Sequence, residues 1–256
     1  MVEQKYRIAY LVTHPIQYQA PLLRLISAQP DIDLTVFFQS DMSLRSYRDQ
    51  GFGQSIQWDV PLITGYRSEF LPGLWRHGPI TAQRPLNWGF ASSLRRSRFD
   101  VLWVHGYARA INLAAMLCAK ANGLKVFIRD EATHTSAERS RLRRNAKQLF
   151  FAGLRRVADA FLAIGSSNRA YYLAHGIAPE RIFHMPYCVD NEFFAKRAQE
   201  ASASRERLRR ELGLAAERPV ILYASKFEPR KRPQDLLEAY GRLVNRGGPG
   251  TWYRAR

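Results

Sequence analysis

Short apolar runs of four to seven residues recur along this chain, each followed by a stretch with helical spacing, and that alternation restricts the fold more than any other feature. Arg7 to Thr13, Ile32 to Phe38, Val101 to Val104, Lys125 to Ile128, Ala160 to Ile164 and Arg181 to Met185 read as strands. Helices are expected over the segment carrying Leu22, Leu23, Leu25 and Ile26, over Ile111 to Ala121, and on both sides of Ala160 to Ile164. Residues 40–90 are rich in Gly, Pro and Trp and are expected to be irregular, with one or two short strands such as Ser55 to Trp58. Strands this apolar, separated by helices, predict an α/β fold with a parallel sheet covered on both faces.

A parallel sheet also fixes where a ligand goes. In open sheets of this kind ligands bind outside the carboxyl ends of the strands. Those ends carry Thr13-His14, His105-Gly106, Arg129-Asp130-Glu131 and Gly165-Ser166-Ser167. Any one of these polar residues is more simply solvated or capping a helix, but four polar strand ends converge on one edge.

Composition narrows the setting. With 46% apolar residues in a chain of 256, a sizeable core can form. No apolar run approaches a bilayer span, and Met1 to Lys5 lacks the charged-then-apolar pattern of a secretory signal. Cys118 and Cys188 have no metal-type spacing and read as buried thiols, so a cytoplasmic setting is expected. The net charge of +17 calls for an anionic partner: nucleic acid, anionic lipid or a phosphorylated small molecule. Its densest block, Arg139 to Arg156, has seven Lys or Arg and no acid, interleaved with Leu142, Leu149, Phe150 and Leu154. That is the pattern of a basic amphipathic helix able to lie on an anionic membrane surface, or of a solvated face over an ordinary apolar stripe. No zinc-finger spacing or RNP-like aromatic motif supports nucleic acid.

Toward the C-terminal side the organisation changes. Residues 1–190 read as one domain and 191–218 as a connector containing the helix Ser204 to Gly213, stopped by glycine. Residues 219–246 read as the start of a second domain, and 247–256 as an atypical Gly- and Arg-rich tail. The second domain opens with strand Val220 to Tyr223, a basic loop with Lys226 and Lys231, and a helix with Pro233 in its first turn. Strand, basic loop and helix form a natural phosphate site, because lysines and a helix N-terminus can face one anion.

Gly176-Ile-Ala-Pro-Glu-Arg-Ile-Phe-His-Met-Pro-Tyr-Cys-Val-Asp-Asn-Glu-Phe193 resembles the segment that closes the first domain of family 4 glycosyltransferases. The run from Leu208 to Gly213 and then Pro219 to Lys231 looks like that family's entry into its second domain, with Lys226 and Lys231 at the two basic positions. Together these motifs carry the resemblance from Arg7 to about Leu243. It implies a GT-B architecture of two Rossmann-like domains, an acceptor on the first, a nucleotide sugar on the second, and chemistry in the cleft between. It further implies a retaining transferase acting on a glycan or lipid-linked acceptor, in surface polysaccharide or glycolipid synthesis at the inner membrane face, with no cofactor and no metal. Lys226 and Lys231 would then hold the donor pyrophosphate, since fixed cations beside a developing phosphate charge act most strongly in a dry cleft. His14, Gln17 and His105 fall on the acceptor side, and Arg129 and Asp130 are the expected catalytic pair lining that pocket.

The chain departs from the family pattern in four places. Ser225 stands where a turn glycine is usual, and Thr13 to Tyr18 lacks the usual glycine pair. Arg129-Asp130-Glu131 occupies the position where some members carry a histidine, and neither His105 nor His134 takes its place in the motif. Beyond Leu243 the paired glutamates of the donor domain do not follow, so the resemblance implies a donor site that is incomplete and a chain inactive as written. The competing expectation is a non-catalytic basic module on an anionic membrane or nucleic acid. A nicotinamide-dependent oxidoreductase is disfavoured, because no G-x-G-x-x-G follows the first strand.

Overall fold

A computed structural model describes residues 5–49, 53–78, 80–81, 83–133, 141–215 and 219–245, with side chains 49, 141–144 and 230 outside the description. In chain order its elements are β1 (Tyr6–Val12), α1 (Ala20–Ser27), β2 (Ile32–Phe38), β3 (Tyr47–Asp49), β4 (Gln54–Ile56), β5 (Arg67–Phe70), β6 (Gly73–Leu74) and β7 (Leu86–Asn87). There follow α2 (Phe90–Arg96), β8 (Val101–His105), α3 (Ala110–Ala121), β9 (Lys125–Asp130), α4 (Arg141–Val157), β10 (Ala160–Ala163), α5 (Ser166–Ala174) and β11 (Ile182–His184). The last helices are α6 (Asn191–Ser202), α7 (Arg205–Glu211) and α8 (Pro233–Asn245).

Seven strands form one sheet in the order β11-β10-β9-β8-β1-β2-β5, and every adjacent pair is parallel. The chain starts at β1 in the middle, builds outward through β2 to β5, then returns to lay β8, β9, β10 and β11 on the other side. The order therefore reverses between β1 and β8, which is the topological switch point of a doubly wound, Rossmann-like sheet. The period of two decides what each face buries. Ala9 and Leu11 of β1 join the cluster of Leu102, Val104, Val126 and Ile128 under α2 to α5, while Tyr10 and Val12 join Leu34, Val36, Phe38 and Trp103 on the α1 side.

By contact the chain divides into two units, residues 1–47 with 57–191, and residues 48–56 with 192–256. The first holds the sheet. In the second, α6 and α7 bury no side chain and α8 buries only Pro233.

Four expectations change. Val220 to Tyr223 joins no sheet among the described residues, and Val220, Ile221 and Leu222 are exposed. A strand is stabilised by its ladder and its cross-strand pairs, so apolar propensity without a neighbour makes no strand. Asn191 to Ser202, read as connector, is a full helix. Strand β5 lies in the region read as irregular, yet it closes the sheet's edge: its pattern Arg-Ser-Glu-Phe is half polar, as suits an edge strand. Of the two thiols, Cys118 is half-buried and Cys188 is exposed, because the latter follows the last strand in irregular chain. His134, the boundary at 216–218 and the tail 247–256 lie outside the described residues.

Candidate functional site at the sheet switch point

The carboxyl ends of β1 and β8 lead into Thr13 to Tyr18 and into His105-Gly106, so the switch point itself brings His14 and His105 together. His105 is the last residue of β8, and its ring is held from behind. The Tyr10 hydroxyl lies 3.1 Å from His105 Nδ1 and donates to Gln19 Oε1 at 3.0 Å, with Gln19 Nε2 3.4 Å from the same ring nitrogen. Tyr10 is fully buried and stacks on Trp103, with ring centroids 3.9 Å apart. Burial and the Arg129 charge pull the His105 pKa down to about 4, and burial does the same to His14, so both imidazoles are neutral at pH 7. His14 Nδ1 is 2.9 Å from Thr13 Oγ1. In both rings a protein partner is engaged at Nδ1, and no protein bond to Nε2 occurs among the described residues.

The turn that aims His105 is fixed by amides. Asn112 Nδ2, near the start of α3, donates to the carbonyls of His105 at 3.1 Å and Gly106 at 2.9 Å. Asn112 Oδ1 accepts from Gln39 Nε2 at 2.8 Å, and Gln39 Oε1 accepts from Arg109 Nε at 2.9 Å. Gly106 has φ +78°, and its N–H donates to the Arg129 carbonyl at 2.7 Å, tying the β8 turn to β9.

Arg129 and Asp130 are the final residues of β9 and both are buried, Arg129 with 1% exposure. Arg129 Nη2 donates to the Pro186 carbonyl at 3.2 Å, and its guanidinium packs over the Tyr187 ring at 4.5 Å. Its Nε has no partner among the described residues. Tyr187 donates its hydroxyl to Glu131, and the Tyr18 ring meets Tyr187 edge-on at 5.2 Å. Asp130 accepts from the Tyr172 hydroxyl at 2.5 Å and from Asn168 Nδ2 at 3.2 Å. Burial, and the Asp130 charge, push the Tyr172 and Tyr107 hydroxyls far above the usual phenol range, so both stay protonated. Asp130 is thus committed to its neighbours, and it supports the strand edge from beneath.

The first unit therefore assembles His14, Gln17, His105, Arg129 and Asp130 along one edge, with Gln17 half-buried in the same segment. Ser166 and Ser167 begin α5 exposed and make no side-chain cap. Tyr10, Tyr18, Gln19, Asn112 and Tyr187 belong to the site and were not singled out from sequence. A lone amide in an apolar stretch, such as Asn112 beside Ile111 and Leu113, is the signal that could have found it, because a buried amide must be bonded. Lys226 and Lys231 lie in the second unit. Lys226 is half-buried, and Lys231 closes the short 3-10 turn Pro229–Lys231, its carbonyl accepting from the Tyr223 hydroxyl at 2.9 Å. No cluster of three metal-ligating side chains occurs among the described residues.

No family model matches the sequence, and no curated protein matches it. Solved structures do match the fold. The chain is similar to Anabaena Alr3699/HepE in complex with UDP and glucose, with a TM-score of 0.55 at 12% identity over 93% of this chain and 58% of that one. The same Anabaena protein in complex with UDP-glucose gives a TM-score of 0.52 at 13% identity over 92% and 57%. UDP-GlcNAc 2-epimerase from Neisseria meningitidis bound to UDP-GlcNAc gives 0.45 at 10% identity over 81% and 53%. The chain spans between about half and three-fifths of the length of these structures. At such identities the likeness speaks for architecture alone: the protein has an α/β, Rossmann-like fold of the GT-B type.

Proposed function

We propose that this protein works as a nucleotide-sugar-dependent glycosyltransferase, with the β1–β8 edge serving as the acceptor side. The observation that carries the reading is the pair of neutral histidines at the switch point of a GT-B-type sheet, His14 and His105, each bonded only through Nδ1 among the described residues. Neutral imidazoles can donate to or accept from sugar hydroxyls without demanding a counter-charge. Arg129 and Asp130 hold this edge from behind, while Gln17 and the Tyr18–Tyr187 pair border it. Lys226 and Lys231 take the donor's pyrophosphate as point charges and stabilise the departing nucleotide. The sugar is transferred with retention to a glycan or lipid-linked acceptor of surface polysaccharide or glycolipid synthesis, at the inner face of the cytoplasmic membrane and without a metal. The family 4 motifs around Gly176 to Phe193 and the Anabaena HepE likeness support this reading.

Calorimetry on the full chain with UDP and UDP-glucose tests it. Weak binding is expected, and K226A/K231A should weaken it further by at least 10-fold, the loss of about 1.4 kcal/mol or more. His105→Ala should leave nucleotide binding unchanged and lower sugar transfer. Absence of heat with UDP-, GDP- and ADP-sugars alike would sink the proposal.

A further inference from the structure

Away from the switch point, α3 and α4 pack side by side over the sheet and leave an apolar groove of about 500 Å³ between them. Leu113 and Leu117 line it from α3, and Leu149, Phe150, Gly153 and Val157 from α4. Phe151 and Leu154 of α4 turn into the core with Tyr171 and Tyr172, and Leu154 also lines the groove. Leu113, Phe150 and Val157 pack against that same core, so the groove continues it outward, and its two lips stand out into solvent, with Leu117 60% and Leu149 76% exposed. An apolar patch framed in this way marks a binding surface.

Charge identifies the occupant. Helices α3 and α4 together carry seven Lys or Arg and no Asp or Glu. Arg156 is exposed and lies two turns along the helix from Leu149, on the same flank. A second copy of the chain is disfavoured here, because it would bring together two proteins of net charge +17. A bilayer with anionic headgroups matches both the apolar groove and the positive charge of the chain, since acyl chains fill an apolar notch while phosphates meet Arg156 on its flank.

We propose that the α3–α4 groove is a membrane-docking site that takes up acyl chains of anionic lipid, with Leu117 and Leu149 entering the headgroup boundary. This gives the membrane location in the proposed function its contact surface and rests on that part of it. It does not depend on sugar transfer.

The test is co-sedimentation of the full chain with vesicles of phosphatidylcholine alone, or containing about 30 mol% phosphatidylglycerol. The wild type is expected to bind the anionic vesicles and not the neutral ones. L117Q/L149Q keeps every cation and should partition about 100-fold more weakly, and L149Q alone about 10-fold, with unchanged circular dichroism and melting temperature. Binding of L117Q/L149Q equal to wild type would mean adsorption by charge alone and overturn the docking site. So would a wild type that ignores anionic vesicles, or one whose self-association in sedimentation velocity is dispersed by the same substitutions. UDP-glucose calorimetry on L117Q/L149Q should match wild type, so loss of vesicle binding and loss of the transferase reading register separately.

Discussion

At the residue scale, the site is governed by what burial does to ionisable groups. His14 and His105 have their pKa lowered from 6.5 to about 4 in the folded chain. Between those values the unfolded chain takes up protons that the folded chain refuses, so stability falls as pH drops from 6.5 and levels off below about 4. Each histidine can contribute at most about 3 kcal/mol to that loss, less where solvent reaches the ring. Asp100, held by the Arg7 backbone and guanidinium, and Asp159, held by Val126 N–H and Lys120, have carboxyls below the ordinary 3.8 despite partial burial. Their contribution is present above 3.8 and lost only as pH falls through their lowered values, which separates the two effects. Urea midpoints measured from pH 7 to pH 4 should therefore decline in the wild type. His105→Gln should show a shallower decline over the same window, and an unchanged slope would show that His105 is not held neutral.

At the scale of elements, glycines mark where the chain has no room and where it merely needs a turn. Gly73 in β6 faces the backbone of β7: an added Cβ would fall inside contact distance of the Leu86 carbonyl oxygen and 2.6 Å from Asn87 Nδ2. Asn87 in turn donates to the Gln39 carbonyl at 2.9 Å, next to the amide network that holds the His105 turn. Gly106 has open space where its Cβ would stand, and only its φ of +78° opposes a side chain. Gly106→Ala should cost about 1 kcal/mol, the penalty of left-handed backbone. Gly73→Ala should cost about 2 kcal/mol or more, because a carbonyl in a two-stranded ladder cannot step aside. Denaturant unfolding of both variants checks the order.

The same comparison shows how far elements were legible in the sequence. Runs such as Ile32 to Phe38 matched their strand because both faces of that strand are covered, so the apolar pattern is continuous. Val220 to Tyr223 has a similar composition and joins no sheet among the described residues, since pairing is a property of two segments and the sequence of one cannot supply it. Arg129 and Asp130 were read as following the strand Lys125 to Ile128, and in the structure they are its last two residues. Their burial was not legible, because it comes from Tyr187 and Tyr172, more than forty residues later.

For the whole molecule, the two units differ in how much they bury. The sheet carries both buried clusters, with Ala9, Tyr10, Leu11, Leu102, Val104 and Ile128 fully enclosed. Helices α6 and α7 enclose no side chain, and Leu222 and Phe227 of the second unit are about four-fifths exposed. Local opening should follow this division. Hydrogen exchange read by mass spectrometry should find β1, β8 and β9 the slowest segments, with α6 to α8 exchanging at least 100-fold faster. Equal protection across the two units would contradict it.

The sequence by itself determined the class of fold and the alternation of strand and helix that runs through β1, β2, β8, β9, β10 and β11. These follow from local periodicity. Only the tertiary structure decided that β1 and β8 are the strands between which the order reverses, that Tyr10 and Gln19 stand behind His105, and that α3 and α4 leave an apolar groove. Each of those facts is a meeting of segments distant in the chain. Burial, pKa and groove shape are set by neighbours in space, and a sequence specifies them only through the fold it adopts.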